Sequence, residues 1–417
     1  MTHSAAPSRL SPNYRWVILA LLFCAGYLNQ FDRQTVSVLK ATLKLDFGID
    51  DAGYAVLVNA FTVCYAIAYI ASGWVVDRVG PKRALTWFIA VWSLATVGCG
   101  LVHSLWLMVF LRGLLGLAEP GLFPVTIRTA TAWVEDKGRG FFMALGTIGT
   151  SIGGITAVPI IAWLTIHLHW RWAFVLPGAM GLLVAAAWWK FYREPDRPAA
   201  EAAAEPAAVR PALPWKSLWR EKALWGIVLV RLVSDPVWYF CLFWMPGYLQ
   251  ESKQVSIGLL GVIGWIPFLC ANVGGLAFTA LSDLRAKQRG LLGRKQLVML
   301  TAVAGPLCWL VPQSSIGVTI LLFCLIAVLC NAWLGSLAPM IAQLFPMGNV
   351  ASVYGISGAF GASGAILFNY LIGQAAGRFG MEPLFLAMGL LHPLAALIMF
   401  LLVREKRPAS VPAALNA

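Results

Sequence analysis

Four charged side chains stand in stretches of sequence that are otherwise apolar. Asp32 and Arg33 are adjacent near the end of an apolar run that begins close to Trp16, and Arg112 and Glu119 lie seven residues apart in a later run. Charged groups at membrane depth are costly and are found mainly where they bind or move ions. A guanidinium can hold an anion and a buried carboxylate can take up a proton, so these residue types indicate an anion and proton site.

The spacing of Arg112 and Glu119 limits how the four charges can pair. On a helix, seven residues are nearly two turns, so both side chains point the same way, about 10 Å apart along the axis. This is too far for direct pairing along one helix, and Asp32 and Arg33 are the obvious partners. The four charges sum to zero, which makes burial tolerable as a network. The alternative is a structural ion pair that only holds two helices together.

A network of this kind predicts coupling between an anion and a proton. A low dielectric favours the neutral form of a carboxylic acid, whereas a neighbouring guanidinium favours the carboxylate. When an incoming anion takes the arginine, the acid loses its counter-ion and takes up a proton. Binding of the anion and binding of the proton are then linked.

The composition places these charges in a membrane protein. Of 417 residues, 59% are hydrophobic and 12% are charged, whereas soluble domains are about a quarter charged. The net charge of +13 does not indicate nucleic acid as a partner, because Lys and Arg are confined to particular loops. The eight cysteines fall in apolar runs, without the spacing of a disulfide framework or a metal site. We expect no metal and no cofactor.

Twelve apolar stretches are long enough to span a bilayer, which needs about 20 residues each. Lys and Arg concentrate in the loops that place both termini in the cytoplasm. An Ala- and Pro-rich linker at 193–222 separates two halves. We therefore predict an all-α integral membrane fold of two six-helix bundles, 1–192 and 223–417, around a central site. The predicted spans are roughly 15–38, 53–76, 84–102, 105–127, 140–164, 171–192, 223–250, 256–281, 296–312, 316–342, 350–373 and 383–403.

The loop after the second span, GWVVDRVGPKR, resembles the signature loop of the major facilitator superfamily. A weaker copy, with Asp283 and Arg294, follows the eighth span. The resemblance implies the fold of that superfamily. We interpret the loop as a cytoplasmic gate rather than as a set of substrate ligands, and we expect Asp77 to pair with Arg128. The predicted gate residues are Gly73, Asp77, Arg78, Gly80, Arg83 and Arg128.

The charged runs resemble the anion:cation symporter branch of this superfamily. The matching residues are Asp32 and Arg33, Tyr65 in FTVCYAIAY, and Arg112 with Glu119 in RGLLGLAEPGLFP. The resemblance implies that Arg33 holds a substrate carboxylate with help from Tyr65. It also implies that Asp32 and Glu119 take protons, while Arg112 organises them beside the substrate.

Within that branch the resemblance is closest to the hexuronate transporters. It rests on QTVSVLKATLKLDFG, RLVSDPVWYFCLFWMPGYL and NAWLGSLAPMIAQLFP. Three positions depart from patterns found among relatives, where Gln30 replaces a tyrosine, Gly247 a lysine and Gly358 an asparagine. Because these positions can face the substrate, they bear on which sugar acid is carried.

Further candidates for contacts to a sugar lie in the second half of the chain. Trp238 and Tyr239 offer flat rings that can stack on a sugar, with packing against lipid or helices as the alternative. Asn331 and Ser357 can hydrogen-bond sugar hydroxyls, although each signal is weak by itself.

A second pair of charges, Arg231 and Asp235, lies four residues apart next to Pro236. Side chains at this spacing can pair on one face of a helix. We interpret them as a structural pair beside a helix kink, with a functional role as the alternative.

The sequence predicts a secondary transporter that imports an organic anion with protons by alternating access, most simply a hexuronate or a related sugar acid. An exporter or exchanger of another carboxylate, such as an aldonate, a dicarboxylate or an aromatic acid, is the alternative. An enzyme is not indicated, because no nucleophile with a base and no phosphate-cradling loop occurs. We expect a monomer in the inner membrane of a bacterial cell, whose partners are the anion, protons and lipid.

Overall fold

The computed structural model of the chain describes residues 13–134, 136–194 and 214–403, which are almost entirely helical. The predicted linker falls mostly at 195–213, outside the described residues. The first half contains α1 (Tyr14–Val38), α2 (Lys40–Phe47), α3 (Asp51–Val79), α4 (Pro81–Leu101), α5 (Leu105–Ala118), α6 (Leu122–Trp133), α7 (Asp136–His167) and α8 (Trp172–Phe191). The second half contains α9 (Trp215–Leu218), α10 (Lys222–Phe243), α11 (Met245–Glu251), α12 (Ile257–Ile263), α13 (Ile266–Leu300), α14 (Ala304–Leu310), α15 (Ile316–Leu344), α16 (Met347–Phe379) and α17 (Glu382–Leu402). The predicted all-α class is confirmed for these residues.

Ten helical stretches within the described residues are long and apolar enough to cross a membrane, judged by length and composition. The first helix, α1, is not among them, and its second half carries Asn29, Gln30, Asp32 and Arg33. The stretch Ile257–Leu310 counts once, although the backbone of α13 leaves helical geometry at 289–290. The count of twelve spans therefore stays a prediction.

Glu119 lies at an interruption of the helix expected as the fourth span. α5 ends at Ala118, a 3-10 turn covers Glu119–Gly121, and α6 continues from Leu122. Pro120 has no amide hydrogen and its ring crowds the preceding turn, which explains the interruption. The sequence alone thus creates the break that carries the acid.

Helices α1 and α7 pack closely, and glycines make this approach possible. A Cβ at Gly149 would overlap the backbone of Phe23, and one at Gly153 would overlap the backbone of Tyr27. Small residues of this kind let helices approach in lipid, where apolar side chains alone give little preference for one partner. The contact positions α1, which carries Asp32 and Arg33.

Helices α3 and α16 pack against each other near the start of α3, whereas Gly73 near the end of α3 faces open space. Near the start of α3, a Cβ at Gly373 would overlap Ala55, and the Asn59 side chain donates to the Ile366 carbonyl at 3.1 Å. Near the end of α3, a Cβ added at Gly73 meets nothing within 4 Å. We call the end where α1 finishes and α3 begins the closed end, and the opposite end the open end.

Candidate functional site

Two cavities lie between the halves of the chain, and they share part of their walls. Their volumes are about 140 and 180 Å³. Both are lined by Arg33 and Tyr65 from the first half and by Arg231 and Tyr239 from the second. Guanidinium groups and aromatic rings that line the same concave space suit an anion that also carries a sugar-like or apolar body.

Arg33 faces the cavity with its acid partner behind it. Its Nε donates to Oε2 of Glu119 at 2.6 Å, and the side chain of Glu119 is fully buried while that of Arg33 is 18% exposed. The guanidinium also lies over the Tyr65 ring, 4.5 Å from its centroid. A ligand in the cavity can therefore reach the arginine without first touching the acid.

Asp32 is buried away from the cavity wall, on the side of α4. Its Oδ2 accepts a hydrogen bond from Thr96 Oγ1 at 3.1 Å, while Oδ1 has no hydrogen-bond partner among the described residues. Asp32 and Arg33 are adjacent in sequence and point in different directions, as neighbours on a helix do. The two acids of the predicted network therefore do not flank a ligand together in this conformation.

Arg112 lies apart from both cavities in this conformation, and its predicted contact with the substrate stays a prediction. Arg112 is completely buried and lines neither cavity. Its guanidinium lies against the Phe61 ring, 4.7 Å from the centroid, and Phe61 itself lines the smaller cavity. None of its three side-chain nitrogens has a hydrogen-bond partner in the described part of the chain. Of the four charges expected to form a network, Arg33 and Glu119 make the one direct ion pair found among the described residues.

Arg231 and Asp235 form the expected pair on one helix, with Nη2 donating to Oδ2 at 2.6 Å and Nε to the same oxygen at 3.0 Å. Both residues line the smaller cavity, and Arg231 also lines the larger one. We did not place this pair in the site from the sequence. The signal was present, because opposite charges in an apolar span are as costly here as in α1.

The sugar-contact candidates divide into two groups. Trp238 lines the smaller cavity and Tyr239 lines both. Asn331 and Ser357 line neither, and their predicted contacts stay predictions. Asn331 packs against Gly275 of α13, and the buried Ser357 donates to the carbonyl of Tyr354 in its own helix at 2.9 Å.

At the open end, the structure pairs Asp77 with Arg128 inside the first half. Nη1 of Arg128 donates to Oδ1 of Asp77 at 3.2 Å and to the Val76 carbonyl at 2.9 Å. Gly80 ends α3 with φ of +84°, a conformation that favours glycine. The pair is well exposed and does not reach the second half in this conformation.

The remaining predicted gate residues lie around that pair. The guanidinium of Arg78 stacks on Trp74, 4.3 Å from the ring centroid, and Arg83 is exposed. The weaker copy of the loop also holds a pair, since Nη2 of Arg294 donates to Oδ1 of Asp283 at 2.6 Å.

The closed end carries a charge network that we did not predict from the sequence. Nζ of Lys40 lies 2.7 Å from Asp51 and 2.6 Å from Glu251, and Nζ of Lys44 lies 3.1 Å and 3.0 Å from the same two residues. We call these four residues the closed-end latch. Burial opposes the charge of Lys44, but Glu251 and Asp51 raise the pKa of its ammonium above the ordinary value. Lys44 therefore stays charged at physiological pH.

The sequence as a whole matches known transporters. A profile of the Major Facilitator Superfamily matches residues 22–338. The hexuronate transporter of Escherichia coli strain K12 is 24% identical, with 94% of each chain covered. The D-galactonate transporter of Escherichia coli O6:H1 strain CFT073 is 26% identical, with 94% of this chain and 96% of that protein covered.

The fold also matches a solved structure, a bacterial homolog of the human lysosomal transporter Spinster in an inward-facing and unoccupied conformation. The TM-score is 0.76 at 20% sequence identity, over 95% of this chain and 98% of that one. The match includes both halves, and therefore the helices that line the cavities. Together with the sequence matches, the apolar helices and the enclosed cavities, it shows a multi-pass membrane transporter and not an enzyme. The chain belongs to the major facilitator superfamily.

Proposed function

We propose that this protein is a symporter that imports an organic anion, a hexuronate or a related sugar acid, together with protons by alternating access. The observation that carries the proposal is the contact between Arg33 and Glu119 at the cavity wall. Two relatives that match nearly the whole chain are named for hexuronate and D-galactonate, and both compounds are sugar acids. We further propose a monomer in the inner membrane of a bacterial cell.

Anion binding is the first step. A substrate carboxylate approaches Arg33 from the cavity, where the Tyr65 ring already supports the guanidinium. Arginine binds carboxylates well because its planar group offers paired donors. Only Nε is engaged by Glu119, so the incoming carboxylate can bind the other guanidinium nitrogens. It then competes with Glu119 for the charge of the same guanidinium.

Proton uptake follows from that competition. Glu119 is fully buried, and a buried carboxylate without a counter-ion is costly. Protonation removes that cost, so the anion and the proton are bound together. Asp32 is the second proposed proton site, because it is buried and its Oδ1 has no partner among the residues described.

The architecture we propose has twelve membrane helices in two six-helix bundles, 1–192 and 223–417, with both termini in the cytoplasm. Adding α1 to the ten apolar stretches, and dividing the stretch Ile257–Leu310 at its break near 289–290, gives twelve. The distribution of Lys and Arg supports the orientation. Under this orientation the open end faces the cytoplasm.

Alternating access then requires the two ends to exchange states. Contacts across the closed end have to break, including the ion pair between Lys40 and Glu251 in the closed-end latch. At the open end, we propose that the Asp77–Arg128 pair meets its counterpart Asp283–Arg294 when the halves close. Two rigid bundles that rock around a central site account for both changes.

The test is uptake into proteoliposomes that contain the purified protein. An inward proton gradient should drive accumulation of radiolabelled glucuronate or galacturonate, and a protonophore should abolish it. Unlabelled hexuronate should also exchange with labelled hexuronate when no gradient is present. Exchange without proton-driven accumulation would rule out symport, and the absence of both for all sugar acids would rule out the proposed substrate class.

A further inference from the structure

We propose that the two adjoining cavities together bind an anion with two acidic groups. Arg33 holds one acidic group and Arg231 holds the other. The substrate class would then be a sugar diacid rather than a sugar acid with a single carboxylate. This inference rests on the proposed function and narrows it. It follows from a repeated arrangement of charges on the two sides of the cavity.

Each half of the chain supplies one arginine backed by one buried acid. In the first half, Arg33 is 18% exposed and Glu119 is 0% exposed at the side chain. In the second half, the corresponding values are 13% for Arg231 and 1% for Asp235. Both arginines line both cavities. The cavity therefore offers two guanidiniums from opposite sides, each neutralised by its own carboxylate while no substrate is bound.

The Arg231 guanidinium has an edge left open for a ligand. Its Nε and Nη2 both donate to Asp235, whereas Nη1 has no hydrogen-bond partner among the described residues. Gly358 lies beside this nitrogen and lines the larger cavity, and a Cβ there would be 3.4 Å from Nη1. An asparagine at this position would fill the space. The glycine leaves room for an acidic group of the substrate.

A second glycine on the same helix positions the acid of the pair. A Cβ at Gly361 would overlap Oδ2 of Asp235, so the carboxylate is seated against the backbone of α16. Asp235 is thereby held against α16, and it also lines the smaller cavity. A pair that served only to join helices would not need to present its arginine to the cavity.

Two acids behind two arginines also balance the charge of a diacid. When each carboxylate of the substrate binds one guanidinium, Glu119 and Asp235 each share their counter-ion with the substrate. Each can then accept one proton, and a dianion with two protons moves without net charge. A sugar acid with one carboxylate would engage only one of the two pairs and would leave the other closed.

The experiment compares ligands that share one carbon skeleton. Gluconate carries a carboxylate at C1, glucuronate carries one at C6, and glucarate carries both, and galactonate, galacturonate and galactarate form the same series. Binding of all six to the purified protein is measured by calorimetry. We expect at least one diacid to bind about 10-fold or more tightly than both of its monoacid partners, because only the diacid can engage both guanidiniums, and tenfold corresponds to about 1.4 kcal/mol.

Two variants test the assignment of the second subsite. Arg231→Gln combined with Asp235→Asn removes both charges and leaves no lone buried ion, and Gly358→Asn keeps the pair but fills the space beside Nη1. Both should abolish the preference for the diacid over its two monoacid partners. The second variant keeps the test informative where the first fails to fold.

The outcomes separate the two proposals. If monoacids bind wild-type protein as tightly as the diacids, or if Gly358→Asn weakens all ligands equally, the second subsite is wrong while sugar acid binding stands. If none of the six ligands binds, the proposed function itself fails. A diacid preference that disappears in either variant supports the subsite.

Discussion

Lys40 in α2 forms a 2.6 Å ion pair with Glu251 in α11, joining segments that are 211 residues apart in sequence. The Lys40 side chain is 1% exposed, and its ammonium lies 4.9 Å from the centroid of the Trp244 ring. Asp51 shares the same ammonium at 2.7 Å. A buried cation is tolerated when it is paired on several sides. The burial of Lys40 therefore depends on Glu251, which the second half supplies.

Removing the charge of Glu251 should loosen the closed end. Glu251→Gln deletes the only acid that the second half contributes to the latch and leaves Lys40 paired with Asp51. Breaking a partly buried pair costs about 1–3 kcal/mol, so the population open at this end should rise roughly 5-fold or more. Spin labels at Leu45 and Gln254, which are both exposed, measure the separation by double electron–electron resonance after the accessible native cysteines have been replaced.

A matched control for that change is Asp46→Asn. Asp46 pairs with Arg171 at 3.2 Å near the same end, but both residues belong to the first half. Its loss should leave the label distances unchanged. Equal widening in both variants, or none in Glu251→Gln, would contradict the role of the latch in holding the halves together.

The acid behind Arg33 should separate accumulation from exchange. Glu119→Gln keeps the size of the side chain and can still accept from Arg33, but it cannot take up a proton. Proton-driven accumulation of the substrate should fall to the level of equilibration, and counterflow exchange should persist. Uptake with and without a proton gradient measures the two, and Glu382→Gln, an exposed acid in α17, is the control. Equal loss of accumulation and exchange would make Glu119 structural.

The shape of the Arg33 group should matter as well as its charge. Arg33→Lys retains the cation but loses the planar fork that binds a carboxylate through two donors. Affinity for the sugar acid should fall about 10-fold, equivalent to 1.4 kcal/mol, in calorimetric titrations. Arg78→Lys, at an exposed residue stacked on Trp74, should bind as the wild type does. Unchanged affinity in Arg33→Lys would remove Arg33 from the binding site.

Tyr65 should act through its ring, which lies 4.5 Å from the Arg33 guanidinium. A cation–π contact contributes about 0.5–2 kcal/mol, so Tyr65→Ala should weaken binding roughly 3- to 30-fold. Tyr65→Phe keeps the ring and should stay within about threefold of wild type. Both variants are titrated with the same ligand. A similar loss of affinity in the two would assign the contribution of Tyr65 to its hydroxyl and not to its ring.

Much of the fold and part of the site could be predicted from local sequence. A buried charge is costly wherever it stands, so the apolar surroundings of Arg33 and Glu119 marked them as functional before any contact was known. The break at Pro120 and the turn at Gly80 are also local, because proline and glycine restrict the backbone by themselves. These features need no knowledge of other helices.

Which charges meet was decided only by the tertiary structure. Arg33 reaches Glu119, Asp32 turns to Thr96, and Arg112 packs on Phe61. In a soluble helix the apolar stripe marks the buried face, but in lipid both faces are apolar and the rotation of each helix cannot be read from its sequence pattern. The closed-end latch and the place of Arg231 in the cavity depend on that rotation and on packing between distant helices. The sequence alone therefore identifies the charged groups that are costly to bury and the class of protein. The packing of the helices determines which of these charges pair.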